Sequence, residues 1–453
     1  MTDLGRRQKI HVVGVGGSGM SAIAAVVHAM GHEVSGSDLR SSHNVERLLA
    51  HGVTVHIGHD ATRVHGVDAV AISTAIARSN VEVAEAERLG IPVLRRAEVL
   101  AAICAQRSAV AVAGTHGKTT TSSMLSLILV EAAWRPSFII GGEVNEIGGG
   151  AVWDEGEWLV VEADESDGTF LQLPRRAAIV TSVEPDHLEF YGGVEQMEAA
   201  YDRFVAETPG PVVVDADRAV AATMATRRGA VTTGLSADAD YRIGDVEGRR
   251  ADVSFTLHHG GAEIGRVHVP IPGLHNARNA ATAAALALEI GVSFDAVTRA
   301  LGRFAGVARR FQFRGRVRDV EFVEDFAHLP TEVAAAVATA GDGGWDRVVV
   351  VFQPHRYSRT QANHAEFSTA FSGADHVIVT DIYGSGEPPR PGVTGELVAE
   401  AVRKGAPELG VTWLPGRGNL AAHLAGVLRP GDLCLLLSAG DLTSVPDEVA
   451  AVP

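Results

Sequence analysis

Short, continuous apolar runs recur along the chain, each followed by a glycine-rich or polar turn and then by apolar positions at helical spacing. Residues 10–15 (IHVVGV) predict a buried strand, Ala22 to Met30 a helix, and the following run a second strand ending near Asp38. Strands at 68–73 and 91–94 alternate with helical stretches at 81–89 and 97–105, so a first α/β unit is expected to end near Arg107. A new cycle starts with the apolar run 109–113, passes through GTHGKTTTSS and continues as helix to about Val130. Strands 157–163, 177–183 and 211–214, with a helix around 195–207, extend this second unit. The stretch 237–270 alternates in the manner of a small antiparallel insert or flanking sheet, and a helix over 278–290 closes the unit. A third unit is expected from Arg310, with strands at 320–324, 347–352, 375–380 and 432–437. The pattern predicts an α/β protein of three domains, 1–107, 108–309 and 310–453.

Composition narrows the function. A net charge of -16 repels nucleic acid and anionic membrane surfaces, so neither is an expected partner. The first residues lack a signal-peptide pattern and no run of 18 apolar residues is present, so a cytoplasmic protein is expected. Cys104 and Cys434 sit in apolar contexts without metal-like spacing and read as packing residues. Lysine occurs only at Lys9, Lys118 and Lys404, arginine supplying the other positive charges. A lysine inside a glycine-rich loop of such a chain points to a phosphate that needs a compact ammonium.

The strongest local motif is Gly114-Thr115-His116-Gly117-Lys118-Thr119-Thr120, between an apolar strand and a helix. It is a shortened relative of the GxxxxGK(S/T) loop, whose backbone N–H groups and helix N-terminus cradle phosphates. Lys118 is expected to reach the β- and γ-phosphates of ATP, and the Thr119 hydroxyl to ligate Mg²⁺. A second loop, Gly14-Val-Gly16-Gly17-Ser18-Gly19-Met20-Ser21, also joins strand to helix, with Asp38 ending the next strand. Its geometry suits any pyrophosphate, so an NAD(P)-dependent oxidoreductase and an enzyme of a UDP-linked substrate both remain open at this point. Glu162-Ala-Asp164-Glu165-Ser166-Asp167 follows strand 157–163, a carboxylate cluster that calls for a metal or cations. Glu184-Pro-Asp186-His187 follows the next strand and offers His187 as a further ligand. His275-Asn276-Ala-Arg-Asn279 opens a helix, with Asn276 and Asn279 about one turn apart, where Asn276 is a ligand contact or an N-cap. In Phe352-Gln-Pro-His355-Arg356-Tyr-Ser-Arg359 two arginines at a strand end suit a carboxylate or phosphate.

Taken together and in order, GVGGSGMS, GTHGKTTT, EADESDGTFL, EPDHLEFYG, PGLHNARNA, GVARRF, EDFAHLPTE and FQPHRYSRT closely resemble the Mur ligase family over nearly the whole chain. The resemblance implies an N-terminal Rossmann-like domain, a central P-loop ATPase domain with a mixed sheet, and a C-terminal Rossmann-like α/β domain. It implies ATP and Mg²⁺ as cofactors, UDP-N-acetylmuramate and L-alanine as small-molecule substrates, and a monomer or weak homodimer. Carried over by position, Gly14 and Gly16 to Ser21, with Asp38, would bind the UDP group. Gly114 to Thr120, His275, Asn276, Asn279 and Arg310 would bind ATP. Thr119 and Glu162 would hold one Mg²⁺ and His187 another; Phe326, His328, Arg356 and Arg359 would receive the amino acid. Lys118, Glu162, His187 and His328 are the implied catalytic set.

The sequence departs from the family where the amine would enter. The stretch that usually reads DDYAHHPTE is Glu324-Asp-Phe-Ala-His-Leu-Pro-Thr-Glu332, so Phe326 replaces a tyrosine and Leu329 a histidine. Ser438 stands where glycine usually precedes Ala-Gly-Asp. These changes leave open a related ligase that attaches murein tripeptide to the same nucleotide sugar, and a degenerate homologue that only binds it.

Overall fold

The computed structural model describes residues 4–73, 75–144 and 149–452. β1 (Lys9–Val13), β2 (Glu33–Asp38), β3 (Thr54–Ile57), β4 (Ala69–Ile72) and β5 (Val93–Arg95) form a parallel sheet in the order β3-β2-β1-β4-β5. Val12 packs into the core on one face of β1 and Val13 into a second cluster with Val64, Val70 and Ala86 on the other. Both faces being covered, the strand reads as an unbroken apolar run. Strand order reverses between β1 and β4, which opens a ligand crevice at the carboxyl ends of these strands. The first helix is Ser18–Ala29, four residues longer at its start than the apolar spacing predicts. Ser18 to Ser21 are therefore its first turn, which Ser21 N–H closes on Gly17 O at 2.8 Å, while the N–H groups ahead of it have no acceptor within the helix.

The second sheet has ten strands: β6 (Ser108–Ala113), β7 (Ser137–Val144), β8 (Gly149–Val152), β9 (Trp158–Glu162), β10 (Ala177–Val180), β11 (Val212–Asp215), β12 (Val231–Gly234), β13 (Tyr241–Gly248), β14 (Val253–His259) and β15 (Ala262–Val269). Their order is β15-β14-β13-β12-β11-β10-β6-β9-β7-β8, parallel through the middle with β8 antiparallel to β7. Of the two expectations for 237–270, insert or flanking sheet, the second describes it: β13 pairs in parallel with β12, and the stretch prolongs the central sheet at one flank. Gly260 and Gly261, at φ +57° and +82°, make the two-residue turn between β14 and β15 that only positive φ at both positions allows.

The third sheet runs β16-β17-β21-β18-β19-β20, with β16 (Gln312–Val317), β17 (Val320–Asp325), β18 (Arg347–Gln353), β19 (His376–Thr380), β20 (Gly410–Leu414) and β21 (Asp432–Ser438). Only β16 is antiparallel, returning through Arg318-Asp319 at φ +52° and +60°. The architecture is the expected α/β fold of three sheets with their helices. By packing, the chain forms two compact units: residues 1–244, 256–266 and 278–303, and residues 245–255, 267–277 and 304–453. Within the first unit, Ile10, Met20 and Ile103 share one continuous core with Val161, Phe170 and Tyr201.

Candidate functional site

In the first unit, β6 runs into the loop 114–117 and helix Lys118–Glu131. Gly114 lies at φ +138°, and a Cβ there would fall 2.1 Å from Thr181 Oγ1; a Cβ on Gly117, at φ +77°, would fall 2.5 Å from Asn279 Oδ1. Only glycine fits either place. The turn after β10 grips the loop from beneath: Thr115 N–H donates to Ser182 O at 3.1 Å and His116 N–H to Ser182 Oγ at 2.8 Å. Glu184 N–H donates to Thr115 Oγ1 at 3.0 Å, and His116 Nε2 lies 3.2 Å from Glu184 Oε2. No side chain caps the helix, so its first N–H groups face whatever occupies the loop. Asn279 also accepts from Thr121 Oγ1 at 3.3 Å, fastening the loop to helix Leu274–Glu289.

The carboxylates after β9 converge on the same loop. Glu162 accepts from Thr119 Oγ1 at 3.1 Å through one oxygen and from Gly141 N–H at 2.8 Å through the other. Lys118 Nζ donates to Gly114 O at 2.5 Å and meets Glu165 Oε2 at 2.8 Å. Burial opposes the ammonium charge, but Glu165, Glu162 and Asp164 outweigh it and hold its pKa above the ordinary value. Burial, opposed by the Lys118 ammonium and reinforced by the neighbouring Asp164 charge, pushes Glu165 up to about 7. Sequence reasoning named Glu165 within this carboxylate cluster but gave the individual role to Glu162; the pairing of Glu165 with Lys118 was not read from it. Thr119 and Glu162 offer the hard oxygen donors that Mg²⁺ prefers, and they fit it. His187, at φ +52°, sits 3.3 Å from Asp186 Oδ2; among the described residues no three of His, Cys, Asp and Glu gather as a metal cluster.

The first glycine-rich loop lies in the same unit. Gly16 N–H donates to Asp38 Oδ2 at 2.9 Å, and Gly14 and Val15 N–H both donate to Ser37 O, at 2.8 and 3.1 Å. Ser37 is itself held by buried Glu82, which accepts from its hydroxyl at 2.5 Å. Asp38 therefore braces the loop. A cavity of about 130 Å³ is lined by Ser18, Gly19, Arg96, Ile140, Glu162 and Asp164, among others.

In the second unit, His275 and Asn276 lie in the first turn of helix Leu274–Glu289, which starts four residues before the predicted 278. Asn276 is the third residue of this helix rather than its N-cap, and its Nδ2 donates to Pro272 O at 2.6 Å. Phe326 has Arg309 and Arg310 over its ring, at 5.0 and 5.1 Å, and His328 edge-on at 5.5 Å. His328 in turn faces His355 at 5.4 Å, and His355 Nδ1 accepts from Arg359 at 3.1 Å. Burial and the charges of His328, Arg359 and Arg356 push the His355 imidazole down to about 3. Arg356, at φ +65°, has a buried Nε without a hydrogen-bond partner. Leu329 is buried at the head of helix Pro330–Gly341. Glu324 joins Arg309 and Thr443, at 2.7 and 2.6 Å, and Ser438 Oγ donates to Gln353 Oε1 at 2.7 Å. These departures from the family pattern are thus bonded or packed into place.

Comparison with known proteins matches this arrangement. Residues 9–108 match the Mur ligase family catalytic domain, 112–287 the Mur ligase middle domain, and 309–440 the Mur ligase glutamate ligase domain. The chain is 44% identical over 448 residues to the UDP-N-acetylmuramate–L-alanine ligase of Pelobacter propionicus, covering 97% of this chain and 96% of that one. It is 43% identical over 461 residues to the protein of the same name from Saccharopolyspora erythraea, covering 98% and 93%. Among solved structures, the UDP-N-acetylmuramate-alanine ligase of Thermotoga maritima superposes with TM-score 0.81 at 27% identity, over 98% of each chain. A murein peptide ligase from Psychrobacter arcticus shares the fold, with TM-score 0.70 at 23% identity over 98% and 99%.

Proposed function

The chain belongs to the Mur ligase family, and from that premise we infer that it joins L-alanine to the lactyl carboxylate of UDP-N-acetylmuramate, converting ATP to ADP and phosphate, in peptidoglycan precursor synthesis. The observation that carries this reading is full-length identity of 41–44% to proteins named for that reaction. The substrate carboxylate attacks the γ-phosphorus of ATP, and ADP departs to leave an acyl phosphate. The amine of alanine then attacks the acyl carbon, and the tetrahedral intermediate collapses with loss of phosphate. Lys118 spreads charge over the transferring phosphoryl group, exchanging Glu165 for phosphate oxygens as it does so. Thr119 and Glu162 would hold one Mg²⁺ and His187 another, and bound Mg²⁺ would neutralise the phosphate charge. Gly114 to Thr120, His275, Asn276, Asn279 and Arg310 would receive ATP. Gly14, Gly16 to Ser21 and Asp38 would bind or brace the UDP end.

In the second unit, Arg356 and Arg359 would take the alanine carboxylate, with Phe326 and His328 beside it. The partnerless Arg356 Nε supports this assignment. The domains proposed for these roles are 1–107, 108–309 and 310–453. The cytoplasm, where ATP and nucleotide sugars meet, is the proposed compartment, and among the described residues no helix is long and apolar enough to cross a membrane.

The test is phosphate release from ATP with UDP-N-acetylmuramate present, comparing L-alanine, glycine, L-serine and murein tripeptide. Release that depends on L-alanine is expected. Release with tripeptide alone would reassign the chain to the peptide-attaching ligases, and none with any acceptor would mark a degenerate homologue.

A further inference from the structure

Arg96 has no place in any motif of the sequence, yet it stands where three features of the first unit meet. It follows β5 directly, at the carboxyl edge of the first sheet, and opens helix Arg96–Cys104. Its Nη1 lies so close to the first glycine-rich loop that a Cβ on Gly19 would fall 2.9 Å from it. Its Nη2 lies 3.3 Å from Asp164 Oδ2, in the carboxylate cluster beside the P-loop. The side chain is 34% exposed and lines the cavity shared by Ser18, Gly19, Glu162 and Asp164.

Charge decides what this arrangement can hold. The loop from Gly14 to Ser21 carries no cation, and its neighbour Asp38 is an acid. A pyrophosphate held there by backbone N–H groups alone would leave much of its charge unmet. Arg96 is the cation among the described residues lining the cavity, and its planar fork matches paired phosphate oxygens. Asp164 occupies part of that fork, 3.3 Å from Nη2.

Resting on the proposed nucleotide-sugar reading, we propose that Arg96 binds the diphosphate of the nucleotide sugar by exchanging Asp164 for it. Asp164 is then an internal competitor of the substrate. Arg96→Ala should weaken both UDP-N-acetylmuramate and UDP-N-acetylglucosamine, which has the diphosphate but no lactyl carboxylate, by about 10- to 100-fold in calorimetry. Arg96→Lys, which keeps the charge and loses the fork, should fall between. Asp164→Asn should tighten both ligands a few-fold, and that gain should vanish in the double variant Arg96→Ala/Asp164→Asn.

Weakening confined to UDP-N-acetylmuramate would overturn the proposal in favour of carboxylate recognition. Unchanged binding in both Arg96 variants, or a gain from Asp164→Asn that persists without Arg96, would also overturn it. ATP affinity and the ligand-free melting temperature of Arg96→Lys report whether the fold is intact. If the wild-type chain binds neither nucleotide sugar, the parent reading itself fails, an outcome distinct from failure of the Arg96 assignment.

Discussion

Lys118 and His355 are two polar groups whose surroundings fix their charge in opposite ways. Lys118 is kept protonated by the acids around it, so its removal should act on phosphoryl transfer rather than on the nucleotide sugar. Lys118→Ala is expected to lower phosphate release about 100- to 1,000-fold while UDP-N-acetylmuramate affinity stays within about twofold. Loss of both together would mean that the two phosphate loops are not separate sites. His355 is kept neutral, down to about 3 against an ordinary value of 6.5. The unfolded chain takes up a proton below 6.5 that the folded chain refuses, so the contribution is complete above that pH and declines from 6.5 toward 3. His355→Asn should remove this slope, which for one proton is at most about 1.4 kcal/mol per pH unit. Melting curves of both proteins between pH 5 and 8 should converge at the acid end; parallel curves would assign the acid sensitivity elsewhere. The pairing of Glu165 with Lys118, and Arg96 altogether, escaped the sequence reading for a shared reason. Each acts through a partner 47 or 68 residues away, and nothing local marks such a pairing.

Elements buried on both faces were legible, because their apolar runs are unbroken: β1, β6, β18 and β21 fall close to their expected positions. The strands that escaped were short, polar or at an edge, such as β3 (TVHI), β12 (VTTG) and β20 (GVTWL). There, backbone pairing with a neighbour decides the conformation more than side-chain pattern does. Helix starts were read too late at 18 and 274, since glycine, histidine and asparagine in a first turn look like loop. The loop between β6 and its helix depends on close approach to the turn after β10. Gly114→Ala is therefore expected to cost about 1–3 kcal/mol and to abolish phosphate release, checked by melting temperature and turnover. A variant with wild-type stability would show that Thr181 gives way without loss.

The order of three α/β cycles was plain in the sequence, but their packing into two compact units was not, because core contacts join positions far apart in the chain. Ligands of the folded chain should raise its melting temperature. At about 100 times Kd a true ligand adds about 2.7 kcal/mol, roughly 5–10 °C for a unit of this size. UDP-N-acetylmuramate and ATP with Mg²⁺ are each expected to do so and NAD is not; stabilisation by NAD alone would restore the oxidoreductase reading. The continuous core of the first unit has a practical corollary for anyone dividing the gene. Residues 1–107 end where the chain pattern begins a new cycle, yet Ile10, Met20 and Ile103 share their core with Val161, Phe170 and Tyr201 beyond that point. A fragment cut there would carry an uncovered apolar face into water, and would aggregate rather than serve as a stand-alone nucleotide-sugar module.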